Sequence, residues 1–296
     1  MTYRGLHTAI VTPFDNENNI DFKALEKLMQ QQINAQVDGV VFAGATGEGC
    51  ALSMEEYQEL IWFAQNYKDE LLVTAAINSN NIEHALKLLE IANKADIGGV
   101  MVVTPFFNKP QKAGIVKYFD KIAQNTSMPI MVYNAPTRTG INLCDEVVYE
   151  LSLISNVCAL KDAATDPVRP LRLQSMGIKV DFAVLTGDDP TVMGYAVHGG
   201  MGVVSVASNF IPREMKIICD LCAKKDYDGA ARMYKLYKPL FDILFIESNP
   251  VPIKALLNAS GNCAMTVRLP LEAASSDSMS KIVDCFNRLN VGGVAN

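Results

Sequence analysis

Eight short apolar runs rich in β-branched residues recur along the first two-thirds of the chain, at residues 7–12, 39–43, 71–77, 99–104, 129–133, 157–161, 180–185 and 202–206. Each is bounded by turn residues and followed by a segment long enough for a helix. Apolar runs of this kind suit strands buried on both faces, and strands separated by helices pair in parallel. Eight such units predict one closed parallel sheet ringed by helices, the (β/α)8 TIM barrel.

The intervening segments carry helix signals. Asp21 is placed to cap a helix over 22–35, and Ser53 with Glu56 three residues later forms a capping-box pattern. From Pro212 onward the strand signals stop. About 85 residues of helical pattern remain, interrupted at Pro239, Asn249-Pro250, Gly261 and Pro270. The expected organisation is a barrel over 1–225 and a C-terminal helical extension over 226–296 packed on it, with no low-complexity linker between them.

The composition fits a soluble globular protein with room for a large core, as one large domain or two moderate ones: 49% of the 296 residues are hydrophobic and 20% charged. A net charge of −6 gives no electrostatic support for binding nucleic acid or a membrane surface, so small molecules are the expected partners. The N-terminus lacks a basic segment leading into an apolar run, and no stretch approaches the roughly 20 apolar residues of a membrane span. A cytoplasmic location is expected.

Seven cysteines, an odd and scattered set in apolar contexts, read as buried reduced thiols. Cys219 and Cys222 make a lone CxxC within a helical pattern, with no second pair and no nearby histidine, so packing is expected there rather than metal or redox use. His7, His84 and His198 show no metal-ligand spacing. Adjacent carboxylates at Asp188 and Asp189 tend to point apart, and Gly199-Gly200-Met201-Gly202 lacks the dinucleotide-binding pattern. The aromatic and methionine stripe over 231–245 reads as core.

In a (β/α)8 barrel the site forms where the strands end. Lys161 closes the sixth run. Period-2 alternation puts Val157, Ala159 and Lys161 on one face, and a lysine held in an apolar throat has a lowered pKa and a neutral, nucleophilic amine. The competing assignment is a strand-end lysine whose head reaches solvent. Tyr133 ends the neighbouring fifth run and is either a proton relay for imine chemistry or a packing residue. Gly44-Ala45-Thr46-Gly47-Glu48 offers backbone N–H groups and the Thr46 hydroxyl to an anionic oxygen. Arg138, in the loop after Tyr133, suits a second carboxylate or a surface salt bridge.

Taken together, Thr12-Pro13-Phe14, Gly44-Ala45-Thr46-Gly47-Glu48, Thr104-Pro105, Tyr133-Asn134, Lys161, Gly187-Asp188-Asp189 and Asn249-Pro250-Val251-Pro252-Ile253-Lys254 resemble the dihydrodipicolinate synthase / N-acetylneuraminate lyase family of pyruvate-dependent class I aldolases. The likeness runs nearly end to end and is closest to the synthase branch, which carries Arg-Thr-Gly as at Arg138-Thr139-Gly140. The resemblance implies a barrel with a helical extension, a homotetramer or homodimer, and no metal or organic cofactor. It further implies that Lys161 forms the imine with pyruvate and that Tyr133 is the acid/base. Ala45, Thr46, Gly187 and Val204 then fall at the pyruvate site, and Arg138 takes the carboxylate of an aldehyde.

Two positions depart from the branch. Ala45 stands where a threonine is usual, and Phe107 where a tyrosine arrives from a neighbouring subunit, so two hydroxyls of a three-membered proton relay are missing. His84 and Phe106 likewise replace residues that bind lysine as a feedback effector in some synthases, which implies no inhibition by lysine. The leading expectation is condensation of pyruvate with aspartate semialdehyde, on the route to diaminopimelate and lysine. A related aldolase acting on a 2-oxo-3-deoxy sugar acid, and a non-catalytic oxo-acid binder, are the alternatives.

Overall fold

The computed structural model describes residues 3–291. Eight parallel strands close into one barrel in chain order: β1 Gly5–Ala9, β2 Gly39–Phe42, β3 Leu72–Ile77, β4 Gly99–Val103, β5 Ile130–Asn134, β6 Val157–Asp162, β7 Ala183–Thr186 and β8 Gly202–Ser205, with β8 paired to β1. Between them run α1 Phe22–Asn34, α2 Met54–Gln65, α3 Ile82–Lys94, α4 Lys112–Ala123, α5 Pro136–Thr139, α6 Asp145–Ser152, α7 Arg169–Ser175 and α8 Val192–Val197. The eighth strand leads into α9 Pro212–Ala223, followed by α10 Tyr227–Ile243, α11 Val251–Ala259 and α12 Ser276–Val291.

The helix starts follow their sequence signals. The Asp21 carboxylate accepts from Ala24 N, and Ser53 and Glu56 close a reciprocal capping box at the head of α2. Such caps satisfy backbone donors that would otherwise lack partners and contribute about 1 kcal/mol each.

Two strands differ from their expected spans by more than one residue. The first run begins earlier, at Gly5, and leaves the sheet after Ala9; Ile10 and Val11 stay buried, and Val11 N bonds the Asn209 side chain instead of a strand. The seventh begins at Ala183, because Lys179 and Phe182 close a turn that leaves Val180 90% exposed.

Apolar side chains fall into two layers. An inner cluster of Ala9, Val41, Met101, Met131, Ala159, Leu185 and Val204 fills the barrel, and a larger outer cluster seals strands to helices. The outer cluster runs on without a break into the C-terminal helices, where Leu240, Phe241, Ile253 and Leu256 pack with Met215 and Ile218 of α9. Full burial of each such side chain contributes about 1.5–3 kcal/mol. Tyr234 and Tyr227 also donate to Pro190 O and Ala196 O of the barrel. Residue 225 lies in the turn between α9 and α10, and we propose it as a boundary of convenience in a chain whose core is continuous across it.

The expected break at Pro239 is absent: α10 runs through it. Pro239 and Lys235 are both exposed, so the carbonyl that loses its N–H partner faces water. The 231–245 stripe is only partly core, since Tyr237, Leu240, Phe241 and Leu244 are buried while Leu236 and Phe245 are not.

Candidate active site

Tyr133 and Lys161 are register partners at the ends of β5 and β6, and both point into the barrel mouth. Lys161 Nζ lies 4.2 Å from the centroid of the Tyr133 ring. The lysine is 5% exposed, which rules out the solvent-reaching alternative. Burial drives its pKa down to about 7, the Arg138 guanidinium pushes the same way, and Asp189 opposes them. At neutral pH a large fraction of the amine is therefore unprotonated. Burial raises the Tyr133 phenol, and Arg138 partly offsets the rise.

Gly187 packs against the lysine stem. A Cβ there would lie 3.0 Å from Lys161 Cε and 3.2 Å from Ala163 Cβ, tighter than ordinary contacts. Val204 is fully buried in the inner layer of the barrel.

The expected shared face holds for Ala159 and Lys161 but not for Val157. Ile130 pairs with Val157 and Met131 with Ala159, so Cys158 is an extra residue, a β-bulge. The bulge resets the alternation and sends Val157 into the outer cluster.

Gly44-Ala45-Thr46-Gly47-Glu48 forms a tight turn after β2. Ala43 and Glu48 flank it with left-handed backbone at φ 53° and 52°, and a Cβ on Gly49 would meet Ala43 O at 1.8 Å. Thr12 Oγ1 donates to Gly47 O at 2.7 Å, and Asn78 Nδ2 donates to Ala43 O at 2.5 Å. Thr46 is buried, and its hydroxyl accepts from Asn249 Nδ2 at 2.9 Å.

A cavity of about 370 Å³ opens over Tyr133, within the range of small-ligand sites, and is lined by Ala45, Cys50, Arg138, Asn249 and Leu271 among others. Arg138 lies on the one-turn helix α5 rather than in a loop. Its guanidinium donates to Asn249 O at 3.3 Å, a carbonyl and not a carboxylate. It thus faces the cavity with charge to spare. Phe107 is not brought here: it is 90% exposed, with φ 69°.

Outside the barrel wall, Asp162 Oδ1 accepts from Asn134 Nδ2 at 2.7 Å and Arg169 Nη1 at 3.1 Å, while Oδ2 accepts from Tyr195 Oη at 2.7 Å. All four groups are buried. Asp189 Oδ2 accepts from Val206 N and Ala207 N, tying the ends of β7 and β8 together near the lysine.

Sequence reasoning assigned no role to Asp162, Asp189, Asn249 or Glu48. The available signal was position, since each follows a strand end or lies in the Asn249 motif. Cys50 was expected to be buried and is exposed at the cavity instead, because Gly49 and Cys50 form a short turn at the mouth. Among the described residues no group of three or more His, Cys, Asp or Glu is placed to hold a metal ion, and no helix is long and apolar enough to cross a membrane.

The model of the Dihydrodipicolinate synthetase family matches residues 2–288. The chain belongs to that family. It is 39% identical over 290 residues to a 4-hydroxy-tetrahydrodipicolinate synthase of Rickettsia bellii, covering 98% of each chain. The synthase structure from Methylacidiphilum fumariolicum SolV superposes with a TM-score of 0.95 at 34% identity, covering 99% of this chain and 98% of that one. The pyruvate complex of the Acinetobacter baumannii synthase superposes with a TM-score of 0.94 at 31% identity, covering 99% and 100%. Family membership is thus carried by the whole barrel and its extension together.

Proposed function

We propose that this protein condenses pyruvate with aspartate semialdehyde to 4-hydroxy-tetrahydrodipicolinate, as a lyase-class enzyme of lysine and diaminopimelate synthesis. One observation carries the assignment: a buried, near-neutral Lys161 amine stacked over the Tyr133 ring at the mouth of the barrel. The amine attacks the pyruvate ketone and water leaves, giving an iminium. Loss of a proton from the adjacent methyl gives an enamine, whose carbon attacks the aldehyde. The aldehyde oxygen takes up a proton to become the hydroxyl and the iminium re-forms. The substrate's own amine then adds to the iminium carbon and expels the Lys161 amine, closing the ring. Tyr133 moves protons in these steps. The turn at Ala45 and Thr46 holds the pyruvate carboxylate, Gly187 and Val204 shape the space around the imine, and Arg138 takes the aldehyde's carboxylate. No metal or organic cofactor enters the scheme.

A different aldehyde is less well supported. Ala45 and Phe107 remove relay hydroxyls, but Arg138 is a charged carboxylate partner rather than a neutral binder of sugar hydroxyls. The curated relatives are also named as synthases. We further propose a cytoplasmic homotetramer or homodimer. Val168 and Leu171 at the start of α7, Val197 on α8 and Phe107 are exposed apolar side chains in the single chain and suit contacts between copies.

Borohydride reduction with pyruvate, followed by peptide mass analysis, is the direct test. A stable adduct on Lys161 is expected, together with turnover of pyruvate plus aspartate semialdehyde. An unmodified Lys161 would remove the imine, and turnover only with a sugar-derived aldehyde would replace the substrate.

A further inference from the structure

The motif from Asn249 to Lys254 lies at the head of α11, about two hundred residues from the turn after β2, yet two of its side chains end on that turn. Asn249 Nδ2 donates to Thr46 Oγ1 at 2.9 Å. Lys254 Nζ donates to Glu48 Oε1 at 2.5 Å, with both side chains at 2% exposure or less. The pair is closed on every side. Lys254 also donates to Thr266 O at 2.9 Å, Glu48 Oε2 accepts from Arg268 N at 2.8 Å, and the Lys254 ammonium lies 4.2 Å from the Phe14 ring centroid.

Glu48 needs such an anchor. It holds a left-handed φ of 52°, uncommon for a residue with a Cβ, and its neighbours Ala45 and Thr46 are the positions assigned to the substrate carboxylate. A buried ion pair is a poor source of net stability, since desolvation consumes most of the attraction, but it fixes geometry well. Arg268 adds a second fastening. Its guanidinium stacks 4.1 Å from the Phe14 centroid and pairs with Glu56 at the head of α2.

We propose that Lys254, through Glu48, is a positioning residue for pyruvate, so that the C-terminal extension sets the shape of the carboxylate-binding turn after β2. The inference rests on the pyruvate assignment above. Lys254 touches no substrate in it and acts only through the backbone that Glu48 holds.

The test is the pyruvate dependence of borohydride trapping in the full-length wild type, in Lys254→Met and in the double variant Glu48→Gln/Lys254→Met. Loss of a charge-assisted hydrogen bond raises half-saturating pyruvate by about tenfold in both variants. At saturating pyruvate the aldehyde KM stays within about twofold of wild type. The double variant strands no buried charge, so it separates anchoring from a charge penalty and serves where the single variant fails to fold. Half-saturating pyruvate within twofold of wild type in the double variant overturns the inference. Absence of trapping in the wild type instead removes the pyruvate assignment itself.

Discussion

Asn134 and Asp162 share a 2.7 Å hydrogen bond on the outside of the barrel, each one residue beyond its inward-facing neighbour, Tyr133 or Lys161. The two strand ends are thus paired twice, by Lys161 lying over the Tyr133 ring on the inner face and by a buried polar bond on the outer one. Arg169, Tyr195 and the backbone N–H of Ala164 supply the carboxylate's other hydrogen bonds.

Removing that carboxylate leaves the buried Tyr195 hydroxyl without its acceptor and the Arg169 cation with Asp145 as its remaining carboxylate. Asp162→Ala is expected to destabilise the fold by about 1–3 kcal/mol. Tyr195→Phe, which deletes one donor to the carboxylate, is expected to cost about 1 kcal/mol. Urea denaturation curves of the two variants check the order.

The Lys161 amine titrates at about 7, far below an ordinary lysine. Imine formation is expected to rise about tenfold per pH unit below that value and to level off above it. Because Arg138 helps hold the pKa down, Arg138→Leu is expected to move the midpoint upward while weakening the aldehyde KM. The rate of borohydride trapping against pH reads the first effect, and steady-state kinetics the second.

Ala45 lines the cavity beside Tyr133 and supplies no hydroxyl. Ala45→Thr is expected to raise kcat by about tenfold, a part of the 10²–10⁴ that general acid–base help provides. Unchanged kcat with an intact pyruvate KM would mean that the relay is completed by another group.

A second cavity, lined by Ser79 and His84, shares Gly49, Cys50, Asn78 and Phe106 with the first. His84 Nδ1 lies 3.2 Å from Ser79 Oγ, and no carboxylate from position 84 is available for an ammonium. Lysine is expected to leave the initial rate unchanged up to millimolar concentrations. A saturable inhibition curve below one millimolar, roughly the range of a few contacts and one ion pair, would refute this.

His7 is fully buried under the barrel with Nδ1 unpartnered, and burial lowers its pKa to about 4. The unfolded chain takes up this proton near 6.5 and the folded chain only near 4. Stability from this group is therefore complete above pH 6.5 and falls by about 3 kcal/mol as pH drops to 4. Unfolding followed from pH 7 to 4, with His7→Phe as the comparison, should show the loss and its flattening.

The barrel was legible because its signal is repeated eight times, and a buried parallel strand announces itself through composition alone. Lys161 and Tyr133 were legible as candidates because they lie at the ends of neighbouring strands, and Arg138 because it is a charge in the segment that follows Tyr133. What escaped were contacts made by distance in sequence: Asn249 on Thr46, Lys254 on Glu48 and Tyr195 on Asp162 join residues whose spacing carries no period. The exit of β1 after Ala9 was also hidden, since Ile10 N still bonds Val41 O of β2 while Val11 N turns to the Asn209 side chain, and both side chains stay buried, so apolar pattern does not mark the change.

The bulge at Cys158 separates length from orientation in β6. Deleting that residue would leave Ile130 opposite Val157 and Met131 opposite Ala159, with Lys161 still facing inward. A single insertion or deletion between Ala159 and Lys161 would instead turn the amine toward the helical layer, since side chains alternate with every residue. The bulge therefore tolerates loss of its own extra residue with the amine still facing the barrel mouth, a tolerance that the stretch from Ala159 to Lys161 lacks.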